Sequence, residues 1–233
     1  MSKPESETSA FAAKFLTREQ VYRYRDRFTT GRRGPVDRAE RATLRALLAG
    51  IERLEVAMDL PSGTGRLSPI LAEHADRVIL ADASPVMLQV AREDLPDLPA
   101  EYLETDIENI RLPDRSVDLV FCHRLLHHVH NRGLRARLFS ELARVTRRYL
   151  AVSYYSPGLR TRWRFFRRHL LGKAGDDDRP ASVERFIEEV SNTGLRLARR
   201  ETLRRFPLPA VFFLFERVPG ADEVATAPAA KSA

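Results

Sequence analysis

Val56–Leu67 reads VAMDLPSGTGRL. A short apolar run ends at Asp59, and the chain then turns through Pro61, Gly63, Thr64 and Gly65 before a helix-like stretch begins. In a parallel α/β sheet, such a turn lies at the carboxyl end of a strand, where ligands bind. Glycine there lets the backbone bend tightly and come close to a ligand. No Gly-Lys-Ser/Thr follows, which excludes a Walker-type phosphate loop. A lone Gly-x-Gly serves equally well as a plain structural turn. The chain downstream tips the balance. Arg77–Ala81 is a second apolar run ending at Asp82, and a third short run, Glu101–Glu104, is followed by Asp106.

Outward from these turns the pattern continues in both directions. Thr17 caps a helix through Phe28, and Asp37 precedes an amphipathic helix from Arg38 to about Leu48 with Leu44, Leu47 and Leu48 as its apolar stripe. Strand one covers Leu54–Met58, and a helix is expected from Gly65 to His74. Ser84 caps the helix after strand two, with Pro85 suited to its first position. Strand four is Val117–Phe121, its helix Leu134–Val145, and strand five Tyr149–Tyr155. Ser182 starts a helix through Val190, stopped by Asn192-Thr193-Gly194. Leu195–Leu203 and Val211–Arg217 read as a closing antiparallel pair. Strands alternating with helices predict an α/β fold, a mainly parallel sheet covered on both faces. Residues 1–16 read as a disordered polar arm, 17–218 as one domain, and 219–233 as a disordered tail of alanine, proline and small polar residues.

At 233 residues, one core of ordinary size is expected. The formal charge of +7 suits nucleic acid or an anionic membrane, and equally a solvated basic surface. The single Cys122 excludes an internal disulfide and a cysteine-built zinc site, and it fits a reducing compartment. No run reaches the length that spans a bilayer, and MSKPESETSA carries no apolar leader. The expected location is cytoplasmic, with scope for peripheral contact at the inner face of a membrane.

The ordered motifs of Glu52–Arg148 resemble those of class I S-adenosylmethionine-dependent methyltransferases, especially the group acting on small molecules, quinones and lipids. The resemblance implies S-adenosylmethionine as cofactor. It also implies a Rossmann-like, mostly parallel seven-stranded sheet with an antiparallel final strand. Asp59, Gly63 and Gly65 match the loop around the methionine part of the cofactor, where Asp59 would accept from loop N–H groups or approach the ammonium. Asp82, in VILADASPVML, matches the acidic residue that binds the ribose hydroxyls. Asp106, in ETDIENIRLP, matches the position beside the adenine, with Ile107 against the ring. Leu60, Pro61, Ala83, Met87 and His123 fall next to these as pocket lining. LPDRSVDLVFCHRLLHHV, Leu112 to Val129, resembles the fourth strand and the connection after it. Two features depart from the pattern: Pro61 replaces a first glycine, and Pro-Gly-Gly before strand five is missing.

Methyl transfer needs nucleophile, methyl group and leaving sulfur held in line with water excluded. A base is required only where the acceptor must lose a proton. His123, His127 and His128 are the candidate catalytic residues. His123 follows strand four at the crevice mouth, while His127 and His128 open the next helix about 100° apart. All three also suit packing. No carboxylate joins them at a metal-ligand spacing, so no metal is assigned.

Pro157–Gly172, PGLRTRWRFFRRHLLG, is the most distinctive stretch and lies within a 156–181 lid or insertion. As a helix it aligns Leu159, Trp163, Phe166 and Leu170 among five arginines. That suits an ordinary helix packed on the sheet, a lid over an apolar acidic acceptor, or an element lying on an anionic membrane. A platform stacking RNA bases beside phosphates is a further reading. Tyr154, Tyr155, Trp163, Arg164, Phe166 and Arg167 are the candidate acceptor-binding residues. The expected activity is methyl transfer to a small-molecule or lipid-like acceptor. RNA or tRNA methylation, or a catalytically silent cofactor-binding subunit, stand as alternatives.

Overall fold

The computed structural model describes residues 17–29, 31, 33–155, 159–172, 181–203 and 210–219. The arm at 1–16, the tail after 219, and much of the 156–181 segment lie outside the described residues.

Two helices, α1 (Arg18–Thr29) and α2 (Gly34–Leu48), precede the sheet. The strands and helices that follow are β1 (Leu54–Asp59), α3 (Ser68–Ala72), β2 (Ala75–Asp82), α4 (Pro85–Asp94), β3 (Ala100–Glu104) and β4 (Val117–Cys122). A 3₁₀ turn at Leu126–His128 leads into α5 (Arg132–Val145) and β5 (Thr146–Tyr155). The chain ends in α6 (Leu159–Leu170), α7 (Val183–Ser191), β6 (Leu195–Leu203) and β7 (Ala210–Arg217). Helix starts follow their caps: Ser84, Asn131 and Ser182 accept from the N–H groups of Met87, Leu134 and Arg185.

The seven strands run in the order β3-β2-β1-β4-β5-β7-β6. β1 to β5 are parallel, and β7 inserts antiparallel between β5 and β6. Strand alternation splits the core into two layers. Phe213 and Phe215 of β7 join Phe139 and Phe186 on one face, while Phe212 and Leu214 join Phe121, Leu44 and Leu48 on the other. At the amino end of β1, buried Asp118 accepts from the N–H groups of Glu55 and Val56 and pairs with Arg147 at 2.6 Å. Burial opposes its ionisation, but Arg147 and those two amides hold its pKa below the usual range.

The strand order reverses between β1 and β4, which opens a crevice at their carboxyl ends. Register brings the ends level: Asp59 sits opposite Leu80 and Phe121, and Asp82 opposite Glu104.

Two expectations need correction. The helix expected from Gly65 to His74 is only Ser68–Ala72, because Gly65 has φ +69° and cannot open a right-handed helix. His127 and His128 do not open α5; they occupy a separate 3₁₀ turn, since Asn131 caps the helix four residues after His127.

Candidate active site

The crevice is a cleft open to solvent. Its lining contains Asp59, Leu60, Pro61, Gly63, Asp82, Ala83, Met87, Asp106, Ile107 and His123, which are the expected cofactor residues apart from Gly65. Tyr24, Arg66 and Arg124 also line it and were not anticipated.

Asp82 anchors the glycine turn. One carboxylate oxygen accepts from Gly63 N at 2.9 Å, and the other from Ser84 N at 2.9 Å. The loop amide of Gly63 thus goes to Asp82, so of the two roles expected of Asp59 only the approach to the ammonium is left. Asp59 instead accepts from the hydroxyl of Ser68 at 2.7 Å, the first residue of α3. Both carboxylates are buried. Burial raises the pKa of Asp59 to about 7 and that of Asp82 to about 6. Asp106 is exposed and accepts from Glu108 N, while Ile107 beside it is buried.

The glycines divide in role. A Cβ on Gly63 (φ +56°) would meet only Met87 Sδ, at 4.0 Å, so the backbone there stays open to an approaching ligand. A Cβ on Gly65 would come within 2.7 Å of both Leu80 and Leu95. Gly65 therefore presses the loop onto β2 and the end of α4.

At the other side of the cleft, α2 contributes Glu40, which is fully buried. Its Oε1 accepts from Arg124 Nε at 3.0 Å and from Tyr155 OH at 2.7 Å, and its Oε2 from Arg66 Nη2 at 2.5 Å. Arg66 also donates to Asp37 at 2.7 Å. Phe28 of α1 lies under both guanidiniums, 4.4 Å from Arg66 and 5.0 Å from Arg124. Burial works against the Glu40 carboxylate, yet the Arg66 and Arg124 guanidiniums hold its pKa well below the usual range.

His123 is buried, and its Nε2 lies 2.9 Å from Arg66 Nη2 but 3.5 Å from Glu40. A guanidinium can only donate, so Nε2 accepts and the proton sits on Nδ1. Burial, with Arg66 and Arg124 nearby, lowers its pKa to about 4 against the pull of Glu40. His127 packs on Tyr155 and His128, and burial lowers its pKa to about 2. Neither histidine is tuned as a base near neutrality. His127 and exposed His128 are not part of the cleft lining.

The expected acceptor residues scatter. Tyr154 is buried in the core and donates to Ala181 O at 2.7 Å, and Tyr155 backs Glu40. Trp163 and Phe166 lie on α6, 59% and 60% exposed, which corrects the reading of that helix as packed on the sheet. Arg167 stacks on Trp163, and the side chain of Arg164 lies outside the described residues. Among the described residues, no His, Cys, Asp and Glu cluster suits a metal ion.

Strand order, switch-point cleft and acidic strand ends together are those of the class I S-adenosylmethionine-dependent methyltransferase fold. Residues 58–149 match the family described as a methyltransferase domain. Magnesium protoporphyrin IX methyltransferase from Synechocystis, solved with its bound cofactor, superposes with a TM-score of 0.70 at 15% identity, covering 94% of this chain and all of that one. Over 90 residues the chain is 40% identical to an uncharacterized methyltransferase of Mycobacterium bovis, covering 39% of this chain and 35% of that protein. Over 78 residues it is 36% identical to trans-aconitate 2-methyltransferase of Escherichia coli, covering 33% and 30%. These matches take in about a third of the relatives' length. The Synechocystis enzyme holds S-adenosylmethionine, and the residues lining this cleft fit that group. Asp82 keeps acceptor capacity for ribose hydroxyls, Gly63 leaves the backbone open, and Asp59 offers a buried carboxylate to a cationic amine.

Proposed function

We propose that the protein is an S-adenosylmethionine-dependent methyltransferase acting on a small-molecule acceptor. The observation that carries this reading is the single cleft in which acidic strand ends line one part and Tyr24, Arg66, His123 and Arg124 another. Acidic groups suit the ribose hydroxyls and ammonium of the cofactor, and the second part supports a place for an acceptor beside it. Trans-aconitate and magnesium protoporphyrin IX, in the names of two similar proteins, are both small molecules. The cofactor supplies an already activated methyl group. The chain's task is then to hold the two reactants in line and keep water out. Tyr24 of α1 lines the cleft and serves that purpose, with α1 tied down by Arg18–Glu93 and Arg25–Asp94 pairs to α4.

Calorimetric titration with S-adenosylhomocysteine tests the cofactor half. Asp82→Ala should cost about 1.5–3 kcal/mol of binding, roughly ten- to a hundredfold in affinity. An unchanged affinity removes the ribose role, and no binding by the parent removes the whole reading.

The same carboxylates predict a pH dependence. Folded pKa values of about 7 for Asp59 and about 6 for Asp82 lie above those of free carboxylates, so both take up protons as pH falls from 8 to 5.5. A protonated Asp59 no longer attracts an amine, and a protonated Asp82 accepts hydrogen bonds poorly. S-adenosylhomocysteine affinity should therefore fall by about tenfold over that window, with proton uptake by the free protein. Asp82→Asn should flatten part of the slope. An affinity independent of pH in the parent would contradict the assignment.

α6 supports a lipid-facing surface as well. Trp163, Phe166 and Leu170, on a helix with no acidic residue, and Leu171 just after it are all at least 59% exposed. Replacing Trp163 and Phe166 with Ala should lower partitioning onto phosphatidylglycerol vesicles by at least about tenfold and leave cofactor affinity unchanged. Flotation of parent and variant to the same extent would refute this, and tight RNA binding without flotation would favour the nucleic-acid alternative.

A further inference from the structure

Arg66 and Arg124 line the same cleft as the acidic strand ends, on its basic part. Building on the methyltransferase reading, we propose that they form the anchoring site for the acceptor, and that the acceptor is a small carboxylic acid bound through its carboxylate.

Both guanidinium side chains are mostly buried, 13% and 19% exposed, yet both line the cleft. Glu40 takes up only part of each. Arg124 gives it Nε and Nη2, and Arg66 gives it Nη2, with Nη1 committed to Asp37. Arg124 Nη1 and Arg66 Nε have no acceptor among the described residues. Asp37 is shared with Arg41, so three guanidiniums face two carboxylates. The cluster has spare donors and spare positive charge.

His123 adds to this. With Nε2 accepting from Arg66, its Nδ1 carries a proton that has no partner in this buried setting. Every polar group left over here is a donor, which a carboxylate oxygen complements and an amine does not.

The backbone gives an independent sign. Arg124 has φ +60°, a left-handed conformation that costs an arginine free energy and that Gly or Asn would adopt more readily. Its amide is fixed there by Ser153 Oγ at 3.0 Å. Such strain persists where the surroundings require the side chain in one place. Glu40, Tyr155 and Phe28 hold that side chain rigid, so little rotamer freedom is left to lose when an anion arrives.

The test uses the full chain saturated with S-adenosylhomocysteine. Succinate, citrate, trans-aconitate and benzoate are titrated beside their amides and phenyl phosphate at millimolar concentration, with binding read by calorimetry and saturation-transfer NMR. At least one acid should bind, with its amide weaker by about tenfold or more. Arg124→Lys and Arg66→Lys keep the charge but lose the planar fork, and each should weaken the acid by about tenfold, more than it weakens S-adenosylhomocysteine. The acid-against-amide comparison is made on the parent and stands even if a variant fails to fold. Binding of no acid, equal binding of the amides, binding of phenyl phosphate alone, or lysine variants identical to the parent would each overturn the proposal. In those cases retained S-adenosylhomocysteine binding shows that the cofactor reading survives. A parent that binds no S-adenosylhomocysteine would remove both.

Discussion

Replacing Arg135 with Met is expected to cost about 3–5 kcal/mol of folding stability, the usual consequence of leaving a buried charge without its partner. Arg135 is 1% exposed on α5. Its Nε and Nη2 both pair with Glu189 of α7 at 2.8 Å, while Nη1 donates to the carbonyls of Val129 and His130. One side chain thus joins two helices and the segment after the histidine turn. Methionine keeps the bulk but leaves Glu189 only the longer pair with Arg185, at 3.3 Å, and strands both carbonyls. Urea denaturation measures the loss as a lower midpoint at unchanged slope. Adding Glu189→Gln should recover part of it, because the two losses share one interaction. A single-variant loss below about 1 kcal/mol would mean that water replaces the guanidinium without penalty, and the anchor would be no anchor.

What the sequence made legible were features with a local physical signature. Strand ends marked by Asp59 and Asp82 came through because an apolar run stopped by an acidic residue has few other uses. Ser84 and Ser182 announced their helices because a cap is a two- or three-residue event. The alternation in AVFFLFER is readable as β7, a strand with two buried faces.

The acceptor side of the cleft was not legible, since it is built from distant pairs. Glu40 meets Arg66 and Arg124 across separations of 26 and 84 residues, which no local pattern encodes. One signal was present. Helical periodicity places Glu40 on the same stripe as Leu44, Leu47 and Leu48, and a carboxylate on a buried face needs a cation. The histidines misled for the opposite reason. Their chemistry is conspicuous, but position relative to the cleft depends on where α5 begins, and Asn131 delays that start.

Gly65→Ala is expected to cost about 2–5 kcal/mol of stability, combining about 1–2 for the left-handed backbone with about 1–3 for overpacking. Its new methyl would press on Leu80, which is fully buried, and on Leu95. Gly63→Ala should behave differently. Its backbone conformation carries a similar penalty of about 1 kcal/mol, but the methyl meets only Met87 and projects into the wall the cofactor must touch. That variant should stay folded and lose about tenfold or more in S-adenosylhomocysteine affinity, because a ligand cannot approach the backbone past an added carbon. The pair therefore separates two roles that a Gly-x-Gly string leaves merged. Thermal melts with and without S-adenosylhomocysteine, alongside calorimetry, read both effects. If Gly65→Ala melts with the parent and binds weakly, then Gly65 is a cofactor contact and the packing role assigned to it is wrong. If Gly63→Ala binds as the parent does, the loop is not where the cofactor lies.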